Sequence, residues 1–184
     1  AVIPLDLPGV RKGEPLDKIG QRPLNQGEIF FEEVVIPKSY MVIDNPEMMQ
    51  VAIKNIFTGA NGGMGQLFVG LAQAAFDEAL TYAKQRIQGG VPIFEHKNIK
   101  LQLFDMFTKV EAARAYARRM ASHAALNPPG SLHHAIAAKV LSTRTAFEVT
   151  REAVSIFGGN GLAKEYPIEK MFRDAIASTI EDGE

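Results

Sequence analysis

The spacing of apolar residues changes near residue 46, and beyond that point it is the spacing of α-helices. Apolar side chains recur every three or four positions, which places them on one face of a helix. The first such face comprises Phe68, Leu71, Ala72, Ala75, Ala79, Tyr82 and Ala83. It is widened by Leu67, Phe76 and Leu80. A stripe this wide predicts a helix that packs between several partners.

Three further helices follow, separated by helix breakers. The second would end at Asn127-Pro128-Pro129-Gly130, and it would bury Ile99, Leu103, Met106, Phe107, Val110, Ala113, Ala117 and Met120. Ser131 is a candidate N-cap for the third, whose inward face would be Leu132, Ile136, Val140, Phe147, Thr150 and Val154. Gly158-Gly159 would stop the third helix, and Pro167 would begin a fourth. We therefore predict a mainly α fold, an antiparallel four-helix bundle.

Residues 1–45 have a different texture, because prolines and glycines punctuate short apolar runs. Residues 28–36 are rich in β-branched and aromatic side chains and predict a strand that stops at Pro37. Residues 2–5 predict a weaker strand. A few strands cannot bury both faces of a sheet unaided, and the chain begins at Ala1 without an initiator Met. We expect residues 1–45 to be the end of a missing β-domain, and residues 46–184 to be a helical domain.

The composition narrows the classes of partner. The chain has 184 residues, 46% hydrophobic and 22% charged, with a net charge of −1, so nothing in its charge favours nucleic acid or an anionic membrane. No apolar run reaches the roughly 18 residues of a membrane span, and no signal-peptide pattern is present. The absence of cysteine excludes disulfides and thiolate chemistry. We expect a soluble intracellular protein that acts on small molecules or proteins.

Most candidate chemistry in the chain is weak when taken piece by piece. No Glu has a His three residues later, so the di-iron pattern of helix bundles is missing and no metal site is predicted. His123, His133 and His134 fit solvated or capping roles, and His96 fits the start of a helix. The run Phe157-Gly158-Gly159-Asn160-Gly161 could expose N–H groups to a phosphate or an adenine edge.

The order of the motifs along the chain is more specific than any single motif. Together they resemble the acyl-CoA dehydrogenase family over essentially the whole chain, from the late β-domain through the C-terminal helical domain. The motifs that carry the resemblance are Pro8-Gly9-Val10, Gly20-Gln21-Arg22, Ile29-Phe30-Phe31-Glu32-Glu33-Val34-Val35-Ile36-Pro37, Gly70-Leu71-Ala72-Gln73, Arg86, Glu95-His96, Phe157-Gly158-Gly159-Asn160-Gly161, Glu165-Tyr166-Pro167-Ile168-Glu169-Lys170 and Arg173-Asp174-Ala175.

The resemblance implies an FAD flavoprotein that removes the α hydrogen of an acyl-CoA thioester as a proton and the β hydrogen as a hydride. The family places its carboxylate base in a Tyr-Glu-Gly-Thr-like motif after Arg-Asp-Ala. Counting from Arg173 puts that base at Asp182, with Gly183 in the place of the Gly and Glu184 in the place of the Thr. Glu181 stands where the family has Tyr, and it is the alternative base. The resemblance assigns Glu181 and Gly183 to the substrate side, and Glu184 to the cofactor side.

The family's flavin contacts carry over to other positions. Arg86 matches the Arg that reaches the diphosphate of an FAD held mainly by a neighbouring subunit, and Gln88 follows it. Gly158 and Gly159 match the glycines beside the adenosine end.

Four departures touch these sites. Ser155 and Lys97 each replace a cofactor-side Gln, and Gly89 replaces a Phe. Asn61 falls on the substrate side, where many members have Arg. We interpret these changes, with Asp182, as those of a divergent subgroup acting on cyclic, branched or unsaturated acyl-CoA.

Three functions remain open at this point. The first is the C-terminal portion of an acyl-CoA dehydrogenase, inactive as this chain alone. Its partners would be acyl-CoA, an electron-transfer flavoprotein and further copies in a homodimer or homotetramer. The second is a flavin monooxygenase or acyl-CoA reductase on the same fold, and the third is an oligomerisation module. The resemblance implies a cytoplasmic location, or the mitochondrial matrix in a eukaryote.

Overall fold

The computed structural model describes residues 1–181. Four α-helices form a bundle: α1 (Pro46–Gln85), α2 (Lys97–Leu126), α3 (Leu132–Phe157) and α4 (Ile168–Ser178). Two short antiparallel strand pairs accompany them, β1 (Val10–Lys12) with β2 (Ile29–Phe31) and β3 (Ile87–Gln88) with β4 (Val91–Pro92). The predicted four-helix architecture is confirmed. None of the helices within the described residues combines the length and apolar character that crossing a bilayer requires.

Local signals set the helix ends. Asn45 caps α1, because its Oδ1 accepts hydrogen bonds from the N–H of Glu47 at 2.8 Å and of Met48 at 3.2 Å, which satisfies donors that have no partner inside the helix. Pro46 takes the first helical position, where its missing N–H costs nothing. Helix α3 ends at Phe157, and the next residue, Gly158, adopts φ 59°, a conformation that is unfavourable for residues with a side chain. The chain therefore turns out of the helix there.

The core lies between α1 and α3, the two helices that pack most extensively on each other. Helix α1 also contacts α2 and α4, which confirms the prediction of a helix between several partners. Its buried row consists of small side chains, which allow close approach of helix backbones, and it includes Ala72, Ala75, Ala79 and Ala83, all fully buried. Facing side chains in the same core include Met106, Val110 and Val149.

Three side chains of the predicted apolar faces are instead exposed. Leu67 on α1 is 60% exposed, Phe107 on α2 is 46% exposed and Ile136 on α3 is 40% exposed. On α3 the seam runs through Ala135, Ala138 and Lys139, the last only 1% exposed. The buried face of α3 is therefore rotated relative to the predicted stripe, and Ala138 lies in close contact with Gly65 of α1.

An ion-pair network ties α2 to α3. Lys109 Nζ lies 2.9 Å from Asp105 Oδ2 on its own helix and 2.8 Å from Glu148 Oε2 on α3. Hydrogen bonds, first with Asp105 and then with Glu148, raise the pKa of Lys109 above its ordinary value. The lysine therefore remains protonated throughout the physiological range.

The N-terminal segment holds less strand than predicted. Residues 28–36 contribute only β2, paired with β1 in the register Val10↔Phe31 and Lys12↔Ile29. The strand stops because Glu33 adopts φ 48°, outside the β region. Residues 2–5 are not a strand, although Val2 N–H donates to the Tyr40 carbonyl. The division into domains at residue 45 stays a prediction.

Candidate functional site

A cleft of about 730 Å³ lies at the end of the bundle where α1 finishes, α2 begins and α3 turns towards α4. Because α1 and α3 run parallel, the last turn of α1 meets the last turn of α3 at this end, where the rings of Tyr82 and Phe157 stack. Five residues of the predicted cofactor site line this cleft together: Arg86, Gln88, Ser155, Gly158 and Gly159. The sequence therefore predicted a real juxtaposition of groups more than 65 positions apart.

Arg86 ends helix α1 and presents an exposed side chain at the edge of the cleft. Its backbone is fixed on both sides, since its N–H donates to the Tyr82 carbonyl at 2.8 Å and its carbonyl accepts from Ile93 N–H at 2.8 Å. Within residues 1–181, no ion pair engages its guanidinium. The planar donor fork is thus available to an anion such as a diphosphate.

A two-residue hairpin that sequence reasoning missed forms one wall of the cleft. Strands β3 and β4 pair around Gly89 and Gly90, whose φ angles are 67° and 84°. A Gly-Gly pair between short apolar runs is the signature of such a turn, so the signal was present. The His96 ring nitrogen Nε2 lies 3.2 Å from the Gln88 carbonyl, which ties the hairpin to the start of α2.

The opposite wall is the turn Gly158–Leu162, which follows α3. A Cβ atom added at Gly158 or Gly159 would meet nothing within 4 Å. At Gly161 it would lie 2.6 Å from the Val154 carbonyl oxygen. Gly161 is therefore required for packing, whereas Gly158 and Gly159 leave open space in which a ligand can reach the backbone.

A polar network supports this turn from below. Asn160 Nδ2 donates to the Tyr82 hydroxyl at 3.0 Å and lies 3.3 Å from the Tyr166 hydroxyl. The Tyr82 hydroxyl in turn lies 3.4 Å from the Phe157 carbonyl, and the rings of Tyr82 and Phe157 stack with centroids 4.0 Å apart. The spacing of apolar residues predicted only that Tyr82 lies on the apolar face of its helix, because that spacing carries no information about the hydroxyl.

Two other predicted site residues lie outside the lining of the cleft. Lys97 is exposed at the first position of α2, beside the lining residues His96 and Asn98. Asn61 is buried in α1, and its Nδ2 donates to the Phe57 carbonyl at 2.9 Å. It lies 25 residues before Arg86, roughly 37 Å along the helix at 1.5 Å per residue. Asn61 therefore belongs to a different part of the molecule.

Glu181, the last described residue, is held by an N-terminal loop. Glu181 is half-buried, and its Oε2 accepts a hydrogen bond from Gln21 Nε2 at 3.0 Å. Nearby in α4, Arg173 Nε donates to Glu169 Oε2 at 2.8 Å, a bond that lowers the pKa of Glu169. The predicted residues Asp182, Gly183 and Glu184 lie outside the described residues.

Comparison with known proteins gives a consistent result. The family model for the acyl-CoA dehydrogenase C-terminal domain matches residues 49–184. A cyclohexane-1-carbonyl-CoA dehydrogenase of Geobacter metallireducens is 33% identical over 97% of this chain and 46% of its own length. The structure of butyryl-CoA dehydrogenase from Megasphaera elsdenii matches with a TM-score of 0.90 at 32% identity, over 97% of this chain and 46% of that one.

A third match is the structure of PigA with FAD and proline, which has a TM-score of 0.90 at 25% identity and covers 98% of this chain and 47% of that one. The chain thus spans about half the length of the curated relatives it matches. The family model covers well over half of the chain, and the fold and sequence agree with it over the same residues. The chain therefore belongs to the acyl-CoA dehydrogenase family.

Proposed function

We propose that this chain is the C-terminal portion of an FAD-dependent acyl-CoA dehydrogenase that removes the α and β hydrogens of an acyl-CoA thioester. The observation that carries the proposal is the cleft in which Arg86 faces the open glycines Gly158 and Gly159. FAD, when bound, supplies the acceptor for the β hydrogen. The chain's own residues would hold the cofactor and remove the α proton.

The cleft suits the diphosphate and adenosine end of FAD. Its volume of about 730 Å³ falls within the range of ligand sites, roughly 300 to 1,000 Å³. Arg86 offers a bidentate donor for phosphate oxygens, and Gly158 and Gly159 leave their backbone accessible because no side chain fills the space beside them. Gln88 and Ser155 add neutral polar groups to the lining. Lys97, next to the lining, adds a cation.

The base in this proposal is Asp182. Asp and Glu have similar intrinsic acidity, so Asp can replace the family's Glu, provided that it comes within about 2.6 to 3.2 Å of the proton it removes. Glu181 is the weaker candidate, because its carboxylate already accepts a hydrogen bond from Gln21. Gly183 and Asn61 remain proposed substrate-side residues, and Glu184 a proposed cofactor-side residue.

The substrate and partners extend the same proposal. A cyclic, branched or unsaturated acyl-CoA is the proposed substrate, a choice supported by the relative named for cyclohexane-1-carbonyl-CoA. An electron-transfer flavoprotein would accept the electrons, in the cytoplasm or, in a eukaryote, the mitochondrial matrix. A second copy of the protein would hold most of the FAD whose diphosphate reaches Arg86, so this chain alone is expected to be inactive.

The test of the base uses the complete protein loaded with FAD and mixed with acyl-CoA in a stopped-flow instrument. Asp182→Asn should slow the loss of flavin absorbance by about 10² to 10⁴-fold, the usual contribution of a positioned base, with the FAD content unchanged. Asp6→Asn, at an exposed position, is the matched control and should react normally. An unchanged rate in Asp182→Asn would show that the base is another group.

A separate variant tests the cofactor site. Arg86→Ala should lower the amount of FAD that copurifies, because it removes the cation facing the diphosphate, while the helical circular dichroism signal stays unchanged. Full retention of FAD by this variant would remove Arg86 from the site.

A further inference from the structure

The geometry points to Gln21 as a positioning residue that holds Glu181 and so fixes the start of the acidic segment. This inference rests on the proposed function, in which Asp182, the next residue along the chain, is the base. Gln21 is not among the residues that line the cleft. Its effect on the reaction would pass entirely through Glu181.

Backbone groups first dock the loop of residues 19–21 onto α4. The N–H of Gln21 donates to Asp174 Oδ1 at 2.6 Å, and Arg173 Nη1 donates to the Ile19 carbonyl at 2.9 Å. These bonds join positions more than 150 residues apart in sequence. The loop is therefore fixed to α4 by two adjacent residues of that helix.

Gly20 lets the loop approach α4 this closely. Gly20 is buried, and a Cβ atom added to it would lie 2.0 Å from the Arg173 carbonyl oxygen and 2.8 Å from the Asp174 nitrogen. Real side chains do not make contacts this short. Backbone therefore lies against backbone at this point, and the loop has little freedom to shift along the helix.

The conformation of Gln21 is unusual for its residue type. Its φ of 48° lies in the left-handed region, which glycine adopts freely and glutamine does not. Residues held in this region persist only where the surrounding structure imposes them, and they concentrate at functional sites. Glycine would adopt this backbone conformation without strain. We therefore attribute the presence of glutamine at this position to a role of its side chain.

That side chain reaches past α4 to the acidic end. Gln21 Nε2 donates to Glu181 Oε2 at 3.0 Å and lies 3.4 Å from the Asp174 carbonyl oxygen. The amide carries two hydrogens, so it can serve both acceptors. Helix α4 itself ends at Ser178. The Gln21 amide thus holds a side chain that lies three residues beyond the end of the helix.

The expected consequence follows from the demands of proton transfer. A base works only over a short contact, and a misplacement of about 1 Å can cost up to a hundredfold in rate. Loss of the Gln21 amide should therefore lower the rate of α-proton removal by roughly tenfold to a hundredfold. The affinity for acyl-CoA should change much less.

Gln21→Gly tests the role of the side chain separately from the docking of the loop on α4. This variant keeps the N–H that bonds Asp174 and relieves the left-handed backbone, so its melting temperature should equal or exceed that of the parent. Gln21→Met preserves side-chain length but has no donor. Both variants should show slower loss of flavin absorbance with acyl-CoA and faster amide hydrogen exchange at residues 179–181.

Glu33→Gly is the matched control. Glu33 is the other non-glycine residue with φ of 48°, it is exposed, and it lies on the same N-terminal segment. Replacing it relieves the same backbone strain without touching α4. Its flavin kinetics and its exchange at residues 179–181 should match those of the parent protein.

Two measurements decide the inference. Unchanged hydrogen exchange at residues 179–181 in Gln21→Gly and Gln21→Met would overturn the holding role. Faster exchange with an unchanged flavin rate would overturn the positioning role. A parent protein that fails to react with any acyl-CoA would contradict the proposed function instead, and the exchange measurement would still decide whether Gln21 holds Glu181.

Discussion

Helix α4 is built into the molecule in different ways at its two ends. The segment that precedes α4 is the turn Gly158–Leu162, which forms one wall of the cleft and follows α3 directly in sequence. After it, Glu181 is held by Gln21, a residue 160 positions away. The chain before α4 is open beside Gly158 and Gly159, whereas the middle of α4, at Arg173 and Asp174, is closed against Gly20. A side chain added at Gly158 or Gly159 should therefore disturb binding, and one added at Gly20 should disturb folding.

The largest expected effect comes from placing a methyl group at Gly20, where the loop lies against the middle of α4. Gly20→Ala should lower the free energy of unfolding by about 3 kcal/mol, the upper part of the range for overpacking, because the new Cβ would clash with the Arg173 carbonyl. Urea denaturation measures this loss. Gly159→Ala, beside the cleft, should change the free energy of unfolding by less than about 0.5 kcal/mol but reduce FAD retention.

Gly63→Ala provides the control for that pair of variants. Gly63 is exposed on α1 with nothing within 4 Å of an added Cβ, so alanine should stabilise the helix by about 0.5 to 1 kcal/mol. Equal destabilisation by Gly20→Ala and Gly159→Ala would contradict the contrast between the two positions.

A smaller effect should follow from removing one hydroxyl beneath the turn Gly158–Leu162. Tyr82→Phe deletes the acceptor of the Asn160 hydrogen bond and should cost about 1 kcal/mol of stability, measured by thermal unfolding. FAD retention should fall as well, because the turn that follows α3 loses a support. The Tyr116 hydroxyl makes no hydrogen bond within residues 1–181, so Tyr116→Phe should change neither quantity.

The smallest effect concerns the ion pair within α4, between the two ends. The hydrogen bond from Arg173 lowers the pKa of Glu169 below its ordinary value of 4.5. Because the folded-state pKa of Glu169 is lowered, the stabilisation of the fold by this carboxylate is complete above pH 4.5. It is lost as the pH falls through the folded-state pKa. Glu169→Gln should therefore cost about 0.5 kcal/mol at neutral pH, within the range for i,i+4 pairs on a helix, and nothing at low pH.

The pH series for Glu169→Gln would be measured by urea denaturation beside Glu165→Gln. Glu165 is exposed and forms no ion pair within the described part of the chain. A deficit in Glu169→Gln that stayed constant down to the acid limit would show that charge is not the cause.

The sequence predicted the helices well because their ends are set by local groups. Pro46 begins α1, Ser131 precedes α3, and Gly158 follows it, all as expected. The rotation of α3 was not predictable from its apolar stripe, since the buried face runs through Ala135, Ala138 and Lys139, and small or charged residues do not mark an inward face in an apolar pattern. Similarly, the excess strand at residues 28–36 was predicted from residue types, which do not reveal the left-handed turn at Glu33.

The site divides in the same way. Arg86 and Gly158 were predicted through family motifs, and they line one cleft because α1 and α3 run parallel and end side by side. The hydrogen bonds of the Tyr82 hydroxyl and of the Gln21 side chain, to which we assign supporting roles, were not predicted. Gln21 carries no periodic or local signal of its contact with Glu181, because that contact depends on how the N-terminal segment folds back onto α4.

The buried alanine row on α1 reaches the end of the helix that borders the cleft. Ala83, its last member, is fully buried one turn before Arg86. A larger side chain there should push α1 away from the core and move Arg86 relative to the glycines that line the same cleft. Ala83→Val would therefore test how strongly the proposed cofactor site depends on close helix packing, without altering any residue that lines it.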